Sequence, residues 1–552
     1  MLYESNIITE LLTKYFTTES TTAISLVLLS LTINGIQANG ISRITAEIVQ
    51  SIEDVNRKRT TQVFFYLCLA FLIFLILNNI YKTLQTYLLT KLKQWMRTNM
   101  LNILMMSNKE EMTEMNYPSV ASPINRAASS SYLFFSSILN SILPNTSFIL
   151  VIATYFLFTQ PMLGAIFLTG NFIAFLIVYL QWENISSSLQ TAIDIEYANE
   201  LHLLEVLHNF DKIIYRGQTE NESTLFRKKT EYAFKKAYEL HLNMTKIDLL
   251  VTIFVTVTIL FMLWYMIQLY YSKKVNATYF ITIVTILIIY RDKMLWMIDD
   301  IYNLIDAFGR SKSVLKNFKD ISLQKVEQTY NVRELPFHKI EFDNVQFKYK
   351  SNITDVVSDM SVAFNTTNHD IIGITGVSGK GKSTIMKILL KMHPPKEGEV
   401  YIDGVNIKEI SPDYIRKNIT YVSQNGKLFD RVVLENIMYG CSHPETCSKE
   451  LQNILKYKKV RDLFKNIDLE NKKSGNLGEN LSGGQRQVVN IIGGLINPSK
   501  ILILDEPTNA LDQDLKREIM RLIQEYSKNK NAILIISHDK DILPICNRTV
   551  KM

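Results

Sequence analysis

Leu481-Ser482-Gly483-Gly484-Gln485 stands between Gly376-Val377-Ser378-Gly379-Lys380-Gly381-Lys382-Ser383-Thr384 and Lys500-Ile501-Leu502-Ile503-Leu504-Asp505-Glu506. The order of these three stretches decides the fold class of the second half of the chain. The glycine-rich stretch follows an apolar strand, Ile371-Ile372-Gly373-Ile374-Thr375, and precedes a helical run from Ile385 to Lys391. Strand, loop and helix in that order make a phosphate-binding loop, because glycines let backbone N–H groups wrap phosphates and the helix N-terminus adds a favourable dipole. Lys382 is placed to neutralise phosphate oxygens and the Ser383 hydroxyl to ligate Mg²⁺. The run from Lys500 to Asp505 is continuously apolar, as expected of a parallel strand buried on both faces. It ends in two carboxylates at the carboxyl end of the strand, where α/β proteins bind ligands. Mg²⁺ is the natural partner for Asp505, and Glu506 is placed to polarise an attacking water.

The first half has a different composition. The chain of 552 residues is 47% hydrophobic with a mean hydropathy of +0.05, yet 20% of it is charged. Long apolar stretches poor in Gly and Pro fill the region before about Met297, and the chain reads as a soluble α/β protein from about Val326. The net charge of +7 is dispersed, with no dense basic stripe, so nothing points to a nucleic-acid groove. Cys68, Cys441, Cys447 and Cys546 are too scattered for a zinc site and read as reduced packing residues. Met1 to Phe16 lacks a signal-peptide pattern, while Ile7, Ile8, Leu11, Leu12, Tyr15 and Phe16 share a helical face, that of an interfacial or an ordinary amphipathic helix.

A membrane span needs about 20 mostly apolar residues. Six candidates are centred on Ala23 to Ile36, Val63 to Ile80, Phe134 to Phe158, Met162 to Leu180, Leu249 to Tyr270 and Tyr279 to Trp296. The first is broken by Asn34 and Gly35, and the last runs into Arg291-Asp292-Lys293. Connections three-to-four and five-to-six are short, whereas residues 81–133 and 181–248 form long segments of helical periodicity on one side. Those segments hold Lys91, Lys93, Arg97 and Arg126, then Lys212, Arg216, Arg227 and Lys228 among others, which places them in the cytosol by the positive-inside bias. Asn78, Asn79, Asn140 and Asn171 read as helix-to-helix hydrogen-bonding groups.

With these residues in view, the chain resembles the ATP-binding-cassette transporters, and among them exporter-type half-transporters with six spans before one nucleotide-binding domain. The resemblance implies a transmembrane domain over 1–325, a linker over 326–339 and an α/β cassette over 340–552. It also implies roles for single residues. Tyr349 would stack on adenine, and Gln424 in Tyr421-Val422-Ser423-Gln424 would contact Mg²⁺ and water. Ser482, Gly483, Gly484 and Gln485 would approach the γ-phosphate of ATP held by another subunit, and Asp512 belongs to the loop that crosses the dimer interface. His538 would hold the γ-phosphate and position Glu506, and the turns near Met112–Val120 and Phe210–Arg216 would couple the two domains. Two chains are then required, as a homodimer or as a heterodimer with a second half-transporter. The family reading is ATP-driven export, with import by the same fold or an ATP-regulated channel as alternatives; the spans exclude a soluble cassette ATPase. Two departures stand out: Gly493 and Gly494 cost stability, about 1 kcal/mol each, in the helix after Leu481–Gln485, and Asn476 lies where exporters commonly carry Glu.

Overall fold

The structure is a computed structural model and describes residues 7–110, 117–315, 334–349, 354–377, 379, 381–539 and 541–552. The chain divides into two units, a helical one of Met1–Ile103 with Asn116–Leu323 and one of Leu104–Met115 with the α/β part, Gln324–Met552. Ser378, Lys380, residues 112–116 of the first coupling turn and residues 326–333 of the linker lie outside the described residues.

The helical unit begins with α1 (Ile7–Thr18), α2 (Ser20–Gly35), α3 (Ser42–Glu53) and α4 (Arg57–Glu110). It continues with α5 (Tyr117–Ser137), α6 (Leu143–Thr159), α7 (Pro161–His208), α8 (Phe210–Tyr215), α9 (Thr219–Tyr271) and α10 (Ala277–Leu315). The segments of helical periodicity outside the apolar runs are mostly extensions of α4, α5, α7 and α9, with the short α8 a separate helix between α7 and α9. Asn34 and Gly35 do not break the first span: π-helical turns at Ile36–Ile41 and Ile138–Ile142 join α2 to α3 and α5 to α6. The second lies just before Pro144, whose missing N–H an extra residue in the turn accommodates. Asn34 is buried and its amide donates to the Pro144 carbonyl at 2.7 Å.

Five helices among the described residues are long and apolar enough to cross a membrane, not the six expected. The sixth candidate falls in α10, where the run from Ala277 to Tyr290 meets Arg291, Asp292 and Lys293 before reaching the ~20 residues a span needs. α10 still packs in the bundle, burying Ile283, Ile286, Leu287 and Tyr290 with Phe148, Phe156 and Phe167 of α6 and α7. The Tyr290 hydroxyl donates to Asn171 at 3.0 Å, and Gln85 of α4 to Asn140 at 2.6 Å, so two of the four asparagines do bridge helices. On α1, Tyr15 is buried and donates to the Leu88 carbonyl of α4.

The α/β unit has an antiparallel sheet made of β1 (Lys339–Phe347), β2 (Val357–Asn365), β4 (Glu397–Ile402) and β5 (Val405–Asn406) in the order β2-β1-β4-β5. A parallel sheet has the order β6-β7-β8-β3-β9, from β3 (Asp370–Thr375), β6 (Ile419–Val422), β7 (Ile501–Asp505), β8 (Ala532–Ile536) and β9 (Arg548–Lys551). The helices are α11 (Lys382–Leu389), α12 (Pro412–Asn418), α13 (Val433–Ile437), α14 (Pro444–Ile454), α15 (Lys458–Phe464), α16 (Gly483–Ile496) and α17 (Gln513–Ser527). β7 and β8 are buried at every position, as their unbroken apolar runs require.

Cys441 and Cys447 are not reduced packing residues: they form a disulfide, because the turn after α13 and the start of α14 bring their Cα atoms to 6.6 Å. The spacing of six is local and carries no zinc or disulfide pattern that sequence alone would single out. α16 runs through Gly493 and Gly494, and at Gly494 the reason is packing. A Cβ on Gly494 would stand 2.7 Å from Val422 Cγ2 and 3.0 Å from Leu502 Cδ1, on the two strands beneath. Gly494→Ala is therefore expected to destabilise the unit by about 1 kcal/mol, the overpacking of 1–3 kcal/mol exceeding the ~1 kcal/mol gained in helix propensity. A lower melting temperature of the variant is the readout, and a higher one would refute the packing account.

Candidate functional site

Parallel strands deliver their carboxyl ends to one edge. In this sheet those ends carry Gly376 after β3, Gln424 after β6, Asp505 closing β7 and His538 after β8. Gly379, Gly381, Lys382, Ser383 and Thr384 join Gln424, Asp505, Glu506 and His538 around one cavity of about 340 Å³.

The loop from Gly376 to α11 needs its glycines. Gly376, Gly379 and Gly381 have φ of 155°, 82° and 79°, and a Cβ on Gly381 would lie 2.5 Å from Val357 Cγ2. Val377 is exposed in the same loop. Lys382 is buried and donates to the carbonyls of Gly376 and Val377, both at 3.0 Å, and to His538 Nε2 at 3.2 Å. Burial lowers the pKa of its ammonium group against the opposing pull of Glu506 and Asp505.

Glu506 sits 7% exposed with φ of 48°, in the left-handed region that costs a non-glycine residue about 1–2 kcal/mol. Its Oε2 accepts from the Ser537 hydroxyl at 3.3 Å, and its Oε1 lies 3.8 Å from His538 Nε2. Asp505 is 4% exposed and accepts from the Tyr421 hydroxyl at 2.6 Å. Burial, then Asp505, push the Tyr421 phenol well above its ordinary pKa, which keeps it a donor.

The remaining expected residues lie elsewhere. Tyr349 follows β1, half-buried, with its hydroxyl 3.3 Å from Thr384 Oγ1 and its ring edge-on to Phe347. Ser482 caps α16: its hydroxyl accepts from the Gln485 amide at 3.2 Å, and the Gln485 side chain accepts from the Ser482 amide at 2.9 Å. Ser482 and Gly483 are exposed, and the stretch from Ser482 to Gln485 takes no part in lining the cavity of its own chain. Asp512 caps α17, accepting from the amides of Asp514 and Leu515. In the helical unit α8 holds the second expected coupling turn, with Phe210, Ile214 and Tyr215 exposed.

Two residues at this edge escape sequence reasoning. Tyr421 reaches Asp505 only because β6 lies beside β7. Lys516 of α17 is buried and pairs with Asp539 and with Asp541, while Asp539 also accepts from Thr508 at 3.0 Å. Lys516 shares the buried face of α17 with Leu515, Ile519, Leu522 and Ile523, and only the packing of that face against the turn after β8 gives it its partners.

The oxygen donors gathered here, the Ser383 hydroxyl, the Gln424 amide and the Asp505 carboxylate, suit a hard divalent cation such as Mg²⁺, and the glycine loop with Lys382 suits a polyphosphate. Residues 360–509 match the ABC transporter family. A chloroplastic ABC transporter B family member 26 of Arabidopsis thaliana is 30% identical over 263 residues, 47% of this chain and 37% of that protein. A probable multidrug resistance ABC transporter ATP-binding/permease protein of Bacillus subtilis is 32% identical over 251 residues, 45% and 42% of the two chains. The alpha-hemolysin translocation ATP-binding protein of Escherichia coli O157:H7 is 32% identical over 214 residues, 39% and 30%. The chain therefore spans less than half the length of each of these curated relatives. A bacterial Atm1-family ABC exporter with ATP bound shares the fold over 97% of this chain and 93% of its own, with a TM-score of 0.81 at 17% identity.

Proposed function

We propose that this chain, whose residues 360–509 carry an ABC transporter domain, is one half of an ATP-driven exporter. The observation that carries the reading is the single cavity shared by Lys382, Ser383, Gln424, Asp505, Glu506 and His538, with Ser482 and Gly483 exposed and outside it. The stretch from Ser482 to Gln485, outside the cavity of its own chain, is free to serve a second chain, and the working unit is a dimer with each nucleotide between Lys382 of one subunit and Ser482 of the other. A homodimer suffices, since every hydrolytic position is filled.

In that unit the glycine-loop amides and Lys382 bind the β and γ phosphates, and Tyr349 offers its ring to adenine. Ser383, Gln424 and Asp505 would hold Mg²⁺, which supplies charge neutralisation on the phosphates. Glu506 takes the proton of the attacking water while the Ser537 hydroxyl and His538 orient its carboxylate. Catalysis is positioning plus electrostatic stabilisation, the expected division of labour in phosphoryl transfer. Closure of the dimer is the step that drives transport, with the α/β unit on the cytosolic side.

The relatives are named for export, translocation and multidrug resistance, which favours export over import. Hydrolysis by the purified single chain in lipid nanodiscs tests the reading. Activity establishes a self-sufficient homodimer, and a chain that binds ATP but hydrolyses none alone overturns the homodimer in favour of a second, different subunit.

A further inference from the structure

β6 and β7 run parallel with Tyr421 opposite Ile503. Residues two apart on a strand share a face, so Asp505 stands one step beyond Ile503 on the side to which Tyr421 projects. The outcome is a 2.6 Å hydrogen bond from the Tyr421 hydroxyl to Asp505 Oδ2 at a carboxylate only 4% exposed. The phenol thus fixes one of the oxygen groups assigned to the divalent cation; Ser383 lines the same cavity, and Gln424 lies three residues beyond Tyr421 along its own strand and loop.

We propose that Tyr421 is a positioning residue for the divalent cation: its hydroxyl holds the Asp505 carboxylate in one arrangement and thereby sets the affinity of the site for the ion. The inference rests on the reading of Asp505 as a cation ligand. Groups that orient metal ligands in this way typically change affinity by about 10- to 100-fold when removed. Phenylalanine preserves the packing of the ring and leaves Asp505 Oδ2 without its donor.

The test uses the full chain in nanodiscs, with Glu506→Gln to stop turnover, Mn²⁺ titrated in the presence of ATP, and bound Mn²⁺ read by electron paramagnetic resonance. Tyr421→Phe is expected to raise the Mn²⁺ half-saturation by about 10- to 100-fold, while a fluorescent ATP analogue in EDTA binds as in the parent. An unchanged Mn²⁺ half-saturation, alongside a weakened one in Asp505→Asn, overturns the inference and leaves the cation site standing. No weakening in Asp505→Asn overturns both. If Tyr421→Phe does not fold, 3-fluorotyrosine at position 421 keeps the shape and alters only the strength of the donor, and a half-saturation that then stays the same overturns the proposal equally.

Discussion

Glu506→Gln is expected to lower the rate of ATP hydrolysis by about 10²- to 10⁴-fold, the usual worth of a positioned general base, and to leave ATP binding intact. The substitution is isosteric. It preserves an oxygen to accept from the Ser537 hydroxyl, at 3.3 Å in the parent, and it leaves the residue at φ of 48°. What it removes is the capacity to take a proton. Binding rests on the glycine loop and Lys382, whose partners are the Gly376 and Val377 carbonyls and His538, so none of the binding contacts is altered. Phosphate release and binding of a fluorescent ATP analogue, measured on the same nanodisc preparation, separate the two effects. A variant that keeps more than about a tenth of the parent rate would move the base away from Glu506, and His538, 3.8 Å from its carboxylate, would inherit the role.

How far the sequence foretells this site depends on how local each contact is. Gly376 to Ser383, and the pair Asp505 and Glu506, are consecutive residues at the end of an apolar strand, so their chemistry and their place at the sheet edge can be read together. Gln424 and His538 come to the same cavity because each follows another parallel strand. Tyr421 and Lys516 were not legible. Tyr421 matters through the register of β6 against β7, and Lys516 through the packing of α17 beside the turn after β8, and neither is a property of a short window. The helical unit shows the same division. Its apolar runs announce helices, but the π turns that carry a helix past Gly35 and Pro144 depend on cross-helix partners such as the Asn34 amide on the Pro144 carbonyl. The charges at Arg291 to Lys293 end the apolar run of α10, a helix that nevertheless packs in the bundle through Ile283, Ile286, Leu287 and Tyr290. Gly494 looks like a weak point in a helix until Val422 and Leu502 are seen beneath it, and Gly493 until the Ile437 carbonyl is seen 3.0 Å from where its Cβ would stand.

Lys516→Met is expected to destabilise the α/β unit by about 1–3 kcal/mol at neutral pH and to slow hydrolysis more than it weakens ATP binding. Lys516 is buried, and its ammonium meets Asp539, whose side chain is 22% exposed, and Asp541, whose side chain is 53% exposed. Solvent screens the Asp541 arm, so the loss comes mainly from Asp539. That residue is tied inward: it accepts from Thr508 at 3.0 Å, and its amide donates to Ser537 Oγ at 3.0 Å, the hydroxyl that in turn donates to Glu506. Methionine fills the volume of the lysine stem and leaves this chain without its cation. A shift of about 1 Å at a reacting group costs on the order of 10²-fold, so a fall of about one to two orders of magnitude in kcat is expected from loosening Glu506 and His538. The pH dependence has a definite sign. Burial on its own would raise the Asp539 carboxyl, but Lys516, the Asp541 amide and Thr508 together hold it below its ordinary value. A carboxylate depressed in the folded state contributes stability above its unfolded pKa and loses it as the pH falls through the folded one. The stability gap between parent and Lys516→Met should therefore be widest at neutral pH and close below about pH 4. Melting temperatures of the two chains across that range decide the matter, and a gap that persists or widens in acid would show that Lys516 acts through packing and not through Asp539.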